Sequence, residues 1–293
     1  MDPEFFISLK SSPALRGALI TWGGSPVFSW GDIWGRYPVY SASKTFLSAS
    51  ALIAADMGFF DLSAPAFGYL SHTQQSLISP EAVRVYRSLP VEKWLTMGIS
   101  GYPFRPQGQD WESFCLGLPA GCDGKLHYSN VTAYILGLCL ENALNMDVFE
   151  FMEERLLRPL DITEATCARC PSGHFYGATG MDLSVKELHR MGELLLAKGC
   201  FSEKRIISEK MTLHALSPLI SGEQDSYGCF IWVGENYFYI SGKWGQKCLV
   251  FPEKELIITY LSHQPEGDRL FEAAKIFGDN HEIFGDNMLK STN

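Results

Sequence analysis

The sequence predicts an α+β protein in which an antiparallel sheet is flanked by helices and joined to a second, mostly α-helical lobe. Strand patterns lie near both ends of the chain, helical patterns fill the middle, and an amphipathic helix leads back to the final strands. We therefore expect a discontinuous sheet lobe from residues 1–61 and 181–280 and a helical lobe from 62–180. Functional sites tend to lie in the cleft between two such lobes.

The first elements are a β-hairpin and a long helix. "ALRGALITWGG" and "SPVFSWGD" indicate two strands around a Gly-Gly-Ser turn. The run "TFLSASALIAADMGFFDL" has apolar residues at helical spacing, so we expect a helix that opens near Ser41 and ends at Gly58.

The middle of the chain is rich in Pro and Gly and carries helical pieces without a strong strand pattern. These pieces are "SPEAVRVYRSL", "VTAYILGLCLENAL" and "MDVFEFMEERLL". An amphipathic helix follows in "MDLSVKELHRMGELLLAKG", with Asp182 near its start and Gly199 at its end. The segment "SEKRIISEKMTLHAL" predicts a second, shorter helix.

The C-terminal third changes to strand periodicity. "YGCFIWVGENYFYISGKWGQKCLVFPEKELIITYLS" has β-branched and aromatic runs broken by Gly and Pro, which predicts three or four antiparallel strands. "GDRLFEAAKIF" predicts a final helix. The tail repeats "IFGDN" at 276–280 and 283–287, a repeat too short for a solenoid, and we expect residues 281–293 to be a frayed end.

Charge and hydropathy exclude several classes of function. The 293 residues carry a net charge of −9 without a cluster of Lys and Arg, so we expect no nucleic-acid partner. No apolar run reaches the length of a membrane span, and the N-terminus lacks the basic and apolar regions of a signal peptide. We expect a cytoplasmic protein, although "MDPEF" is typical of a vector remnant that could replace a natural leader. A homodimer is left open.

The eight cysteines predict free thiols in a reducing compartment rather than a disulfide framework. Cys167 and Cys170 form a lone C-x-x-C that no second pair and no His-x-x-x-His completes as a zinc site. The seven histidines show no ligand spacing either. We therefore expect no metal and no cofactor.

Ser41 and Lys44 stand three residues apart, which places them on one face of a helix. A half-buried lysine loses hydration of its charged form, and its pKa falls. The neutral amine could then accept the serine proton and activate a weak nucleophile. The alternative is that Ser41 caps the helix and Lys44 is a solvated residue of its first turn.

Two further segments carry candidate chemistry. In "KLHYSNVTAYILG", Tyr128 could transfer protons if a nearby lysine cation lowered its pKa, and the Asn130 amide could bind a substrate carbonyl. The alternative is a core tyrosine and an Asn helix cap. In "FYISGKWGQKCLVF", strand N–H groups could form half of an oxyanion hole, with the N–H of Ser41 as the other half. The alternative is a hairpin turn with a surface lysine.

S-x-x-K, Y-x-N and K-x-G each occur once and in this order, a pattern that resembles the penicillin-recognising serine hydrolases. Longer stretches are similar to their class C β-lactamase branch, which also holds DD-peptidases, family VIII carboxylesterases and nylon-oligomer hydrolases. "YPVYSASKTF" and "SGKWGQ" are most similar to the last group. Other similar stretches are "AADMGFFDLSAP", "EKWLTMGISGY", "HYSNVTAYILG", "ATGMDLSVKELHRMGELLLAKG" and "LVFPEKELIITYLS".

The resemblance implies a β-lactamase/transpeptidase-like fold and a role for each matching residue. Ser41 would be the acylated nucleophile, Lys44 its base or proton relay, Tyr128 the proton shuttle and Asn130 the substrate-amide ligand. The oxyanion hole would be lined by Ser241, Gly242, Lys243, Trp244 and Gly245.

The chain departs from the class C pattern at the K-x-G motif. Trp244 replaces the hydroxyl residue of K-T-G, and the hairpin looks short. Lys243 could therefore sit in the turn, with Ser241 and Gly242 on the strand. The bulky indole would restrict the pocket and remove a hydroxyl, which argues against efficient β-lactam hydrolysis.

The leading expectation is a serine hydrolase that cleaves a small ester or amide through an acyl-enzyme on Ser41. One alternative is a DD-peptidase or β-lactamase acting on cell-wall peptides or β-lactams, and another is a non-catalytic penicillin-binding-like protein. The chain contains no G-x-S-x-G elbow and no Walker phosphate loop, so the α/β-hydrolase and P-loop classes are not expected.

Overall fold

The computed structural model describes residues 3–265 and 267–280, so the predicted frayed end at 281–293 lies outside the described residues. Eleven strand segments form there: β1 (Leu15–Trp22), β2 (Ser25–Gly31), β3 (Tyr37–Pro38), β4 (Asp182–Leu183), β5 (Cys200–Phe201), β6 (Lys204–Arg205), β7 (Ser226–Tyr227), β8 (Trp232–Val233), β9 (Phe238–Gly242), β10 (Gln246–Phe251) and β11 (Leu256–Ser262).

The α-helices of the described chain are α1 (Pro3–Ser11), α2 (Ser43–Asp56), α3 (His72–Leu77), α4 (Val83–Ser88), α5 (Glu92–Leu95), α6 (Trp111–Leu116), α7 (Asn130–Leu144), α8 (Val148–Met152), α9 (Val185–Leu196), α10 (Glu209–Ala215) and α11 (Arg269–Asp279). Short 3-10 turns lie at Tyr40–Ala42, Ala66–Tyr69, Arg158–Leu160 and Pro252–Lys254, and a π turn lies at Glu153–Leu157. No helix among these residues is both long enough and apolar enough to span a bilayer.

One antiparallel sheet joins the two ends of the chain in the order β2-β1-β11-β10-β9-β8-β7. The N-terminal hairpin lies beside the last strand, with Ile20 opposite Ile258. Every residue of β11 is buried, because both faces of this central strand are covered. The predicted sheet-and-helix class is therefore confirmed.

Side-chain alternation along β11 divides the core into two layers. Ile258 and Tyr260 pack on one face with Phe5 of α1 and Phe277 of α11. Ile257 and Leu261 belong to the larger cluster on the other face, which includes α2, α7 and α9. The elements between residues 62 and 180 are helices and turns, while the two-lobe boundaries stay a prediction.

Helix α2 lies at the centre of the larger layer. Every residue from Ser43 to Ala54 is buried, although four of them are serine or threonine. The hydroxyls of Thr45 and Ser48 donate to the carbonyls of Phe230 and Cys229, so these buried polar groups are satisfied. These bonds fix α2 against the segment before β8.

Several predicted elements differ in the structure. Helix α1 was not predicted, since its few apolar residues find partners only on α11 and the sheet. Asp182 lies in β4 rather than at a helix start, and Ser184 caps α9 through a capping box with Glu187. In "SEKRIISEKMTLHAL", which was predicted as a second short helix, only α10 is an α-helix. In the C-terminal third, the five strand segments β7 to β11 form where three or four strands were expected.

Candidate active site

Ser41 lies in a tight 3-10 turn immediately before α2 and is partly buried. The preceding residue, Tyr40, has a φ of 49°, a left-handed conformation that is unusual for a bulky residue and clusters at functional sites. The Ser43 hydroxyl donates to the Tyr40 carbonyl at 2.7 Å, which holds this turn closed. Ala42 is the N-cap of α2 and no side chain caps the helix, so Ser41 is not a capping residue.

Lys44 is buried one helical turn later, with only 1% of its surface exposed. Its Nζ lies 3.2 Å from Ser41 Oγ, 2.7 Å from Asn130 Oδ1 and 2.8 Å from the Ala178 carbonyl oxygen. Burial lowers the pKa of Lys44 to about 7, because the ammonium loses its hydration. A neutral amine is therefore well populated at neutral pH.

Tyr128 shares a hydrogen bond with the Ser41 side chain, and Lys44 Nζ lies over its ring at 4.9 Å from the centroid. Burial raises the pKa of Tyr128 to about 12, and the hydrogen bond from Ser41 offsets only part of that rise. The prediction that a lysine cation lowers this pKa is therefore wrong, since desolvation dominates. At neutral pH Tyr128 is a phenol that can donate a proton.

Asn130 is the first residue of α7, and its side chain is directed to the site rather than to the helix end. Ser129 is the cap, with its hydroxyl accepting from the N–H of Val131 at 3.0 Å. The Asn130 amide oxygen accepts from Lys44, and its side chain also hydrogen-bonds with the Tyr176 hydroxyl. The structure thus brings together Ser41, Lys44, Tyr128 and Asn130.

The K-x-G segment is divided between a strand and a turn. Ser241 and Gly242 end β9, whereas Lys243, Trp244 and Gly245 form the turn to β10. A Cβ at Gly242 would lie 2.1 Å from the carbonyl oxygen of Val39, so glycine lets β9 approach the chain just before Ser41. The strand position is taken by Ser241 and Gly242.

Lys243 is exposed and stacks on the Trp244 ring, with its Nζ 4.4 Å from the ring centroid. The Trp244 ring in turn meets Tyr40 edge-on at 5.1 Å. The motif lysine therefore extends along the rim of the turn.

Sequence reasoning missed Lys247 on β10, the residue directly across from Ser241 in the strand register. Its Nζ donates to Ser241 Oγ at 2.7 Å and lies 4.4 Å from the Phe271 ring centroid. Burial lowers the pKa of Lys247, although nearby carboxylates such as Asp268 partly oppose this. No local pattern in "QKCLVF" marks Lys247, because only the register of β9 against β10 places it opposite Ser241.

Two cavities are lined by residues of this group. The first, called the Tyr128 cavity, has a volume of about 810 Å³ and is lined by Tyr128, Ser241, Lys247 and Trp232 among others. The second, called the Asn130 cavity, has a volume of about 580 Å³ and is lined by Asn130 and Tyr176. A further cavity of about 760 Å³ beside Glu193 contains none of the residues predicted for catalysis.

The cysteine pair stays outside this group. Cys167 and Cys170 are free thiols, and the Tyr134 hydroxyl donates to Cys170 Sγ at 3.6 Å. Within residues 3–265 and 267–280, no group of three His, Cys, Asp or Glu side chains could hold a metal ion.

The fold and the motifs are those of the penicillin-recognising serine hydrolase superfamily. Within that superfamily the chain belongs to the beta-lactamase family, whose family model matches residues 35–280. Members of this family are generally hydrolases. A search of curated proteins found no match.

Solved structures share the fold at low sequence identity. One, provisionally described as a 6-aminohexanoate-dimer hydrolase from Bacillus anthracis, has a TM-score of 0.75 and 15% identity, over 95% of this chain and 80% of that one. A beta-lactamase from Mycobacterium bovis has a TM-score of 0.71 and 16% identity, over 94% and 97%. A penicillin-binding protein from Bacillus halodurans has a TM-score of 0.68 and 14% identity, over 94% and 98%.

Proposed function

We propose that this protein is a serine hydrolase that cleaves a small ester or amide through an acyl-enzyme formed on Ser41. The observation that carries the proposal is the 3.2 Å contact between Ser41 Oγ and the buried amine of Lys44, whose pKa is lowered to about 7. A solvated lysine would be protonated at neutral pH and could not serve as a base.

In the first step the neutral amine of Lys44 takes the Ser41 proton while Oγ bonds to the substrate carbonyl carbon. The bond between the acyl carbon and the leaving group then breaks as the Tyr128 phenol gives the leaving group a proton, and the phenol regains one from the Lys44 ammonium. Water then attacks the acyl carbon, gives a proton back to the relay, and releases the acid with Ser41 restored. In both steps, the attack on the carbonyl carbon produces a tetrahedral oxyanion. Backbone N–H groups near Ser41 and the end of β9 would stabilise this oxyanion, at about 3 kcal/mol for each donor.

A second candidate is a DD-peptidase or β-lactamase acting on cell-wall peptides or β-lactams. It is favoured by the Lys247–Ser241 pair, which supplies a cation and a hydroxyl in the Tyr128 cavity although the motif lysine is exposed. A non-catalytic binding protein is less well supported, because a binding site gains nothing from a buried lysine with a lowered pKa.

A substrate panel separates these functions. The purified protein and its Ser41→Ala variant are assayed with p-nitrophenyl esters, nitrocefin and D-Ala-D-Ala peptides. We expect ester hydrolysis that is lost in Ser41→Ala. Hydrolysis of nitrocefin or the peptides alone supports the second candidate, and equal rates in both proteins overturn the nucleophile assignment.

A further inference from the structure

The Asn130 cavity is an open recess beside Asn130, and the proposed reaction assigns it no ligand. Its volume of about 580 Å³ is within the range of small-molecule sites. Its main lining side chains are Phe104, Arg105, Trp111, Asn130, Tyr176 and Thr179.

The direction in which a substrate lies decides which part of it enters this cavity. A proton donor must lie within hydrogen-bond reach of the leaving group. Tyr128, the proposed donor, lines the other cavity, so the leaving group belongs there. The acyl part is then directed to the side of Asn130, and this inference rests on the proposed function.

Aromatic side chains form the walls of the Asn130 cavity. The Trp111 ring meets Tyr176 edge-on at 4.8 Å, and its Nε1 donates to the Gly108 carbonyl at 3.1 Å, which holds the indole in place. Phe104 is 61% exposed, an unusual state for a large apolar side chain. These walls suit the apolar body of an acyl group.

Arg105 is the single charged residue among those lining the cavity. It has no ion-pair partner within the described part of the chain, and it lies close enough to Tyr176 to favour ionisation of that phenol. Acidic residues flank Trp111 on both sides in the sequence. Asp110 accepts a hydrogen bond from the Ser113 hydroxyl at 2.6 Å, and Glu112 lies 2.7 Å from His174, so both are engaged elsewhere. A protein with a net charge of −9 thus presents an uncompensated cation at this recess.

We propose that the Asn130 cavity holds the acyl part of the substrate and that Arg105 selects acyl groups that end in a carboxylate. The substrate class would be monoesters or monoamides of a dicarboxylic acid with an apolar body. Guanidinium binds carboxylate in a planar, bidentate geometry, so the preference depends on arginine and not only on positive charge.

The test compares two esters that differ only at the end of the acyl chain: mono-p-nitrophenyl adipate and p-nitrophenyl hexanoate. For the full-length protein we expect kcat/KM to favour the adipate by about two- to fivefold, the range of exposed ion pairs. Arg105→Gln should bring the ratio near one, and Arg105→Glu should lower it further, to roughly a tenth of the wild-type ratio. Arg84→Gln makes the same charge change on α4, outside both cavities, and should keep the wild-type ratio.

The neutral hexanoate ester reports whether each variant is folded and active. If hexanoate is hydrolysed and Arg105→Gln keeps the wild-type ratio, the role of Arg105 is overturned while the proposed function stands. If neither ester is hydrolysed, binding of monomethyl adipate and methyl hexanoate to Ser41→Ala is measured by calorimetry. If binding favours monomethyl adipate and the preference depends on Arg105, the cavity assignment is supported although the proposed hydrolase function fails. If both ligands bind equally, the cavity assignment and the proposed function are both overturned.

Discussion

Lys44 and Tyr128 lie in contact, with the amine nitrogen 4.9 Å from the centre of the phenol ring, and burial shifts their pKa values in opposite directions. The pKa of Lys44 falls to about 7 and that of Tyr128 rises to about 12, because each neutral form is favoured away from water. A neutral amine and a protonated phenol around one serine hydroxyl provide a base and an acid at the same pH.

The activity should therefore rise with pH through about 7. Below that pH Lys44 is an ammonium and cannot accept the Ser41 proton, and above it the amine is free. Because the pKa of Tyr128 is about 12, the phenol adds no falling limb up to pH 10, and any fall in that range is expected from Lys247, whose pKa is lowered by burial. The measurement is kcat/KM for a p-nitrophenyl ester from pH 5 to 10 with the wild type and Lys247→Met, and a maximum near pH 8 followed by a decline in Lys247→Met would contradict this assignment.

Removing the Tyr128 hydroxyl should lower kcat by roughly 10²–10⁴, since a positioned proton donor contributes that much. Tyr128→Phe keeps the ring beside Lys44, so the loss reports on proton transfer rather than packing. Tyr69→Phe is the matched control, because the Tyr69 hydroxyl bonds with the backbone of Asp61 on the surface. A loss below tenfold in Tyr128→Phe would favour a binding protein.

The two lysines near the β9–β10 turn should differ in importance. Lys243→Ala should change kcat/KM by less than about twofold, because this side chain is exposed on the rim of the turn. Lys247→Met keeps the apolar stem against Phe271 but removes the cation beside Ser241, and we expect roughly a tenfold loss. The reverse order of effects would restore the motif lysine as the active-site cation.

His189 should make the fold sensitive to acid. Its ring bonds to the Thr21 and Thr259 hydroxyls beneath α9, and burial lowers its pKa to about 3. The unfolded chain, with an ordinary histidine pKa near 6.5, binds the proton first, so stability falls as pH drops below that value.

Between pH 7.5 and pH 5 this linkage costs about 2 kcal/mol in the free energy of unfolding. Urea unfolding at both pH values measures it. His189→Gln should lose this dependence, while His72→Gln, on the exposed surface, should keep it. Glu193 lies 3.9 Å from His189 and its pKa is raised by burial, which acts in the opposite direction in both proteins. Equal pH dependence in wild type and His189→Gln would show that His189 does not titrate as described.

Much of the fold could be predicted because its elements carry clear local periodicity. The hairpin at Leu15–Gly31 is marked by its Gly-Gly-Ser turn and the strands from Phe238 to Ser262 by β-branched and aromatic runs, and their assignment to one sheet is confirmed. Helix α1 could not be predicted, since it forms through contacts of Phe5 and Leu9 with α11 and the sheet, which are distant in sequence.

The contacts of the site that follow from residue spacing could be predicted from the sequence. The properties that depend on burial could not. Ser41 and Lys44 meet because three residues make one helical turn. The pKa of Tyr128 depends on how deeply its hydroxyl is buried, which no local pattern gives. Lys247 was missed because the strand boundary at Gly242 shifts the motif lysine into the turn, and only the register shows which lysine faces Ser241.

Covalent labelling tests the central claim most directly. The protein is treated with a fluorophosphonate, digested, and the modified peptide is sequenced by mass spectrometry. We expect one adduct on Ser41, formed faster as pH rises through about 7 and absent from Ser41→Ala. An adduct on a different residue, or equal labelling of Ser41→Ala, would contradict the assignment of Ser41 as the nucleophile.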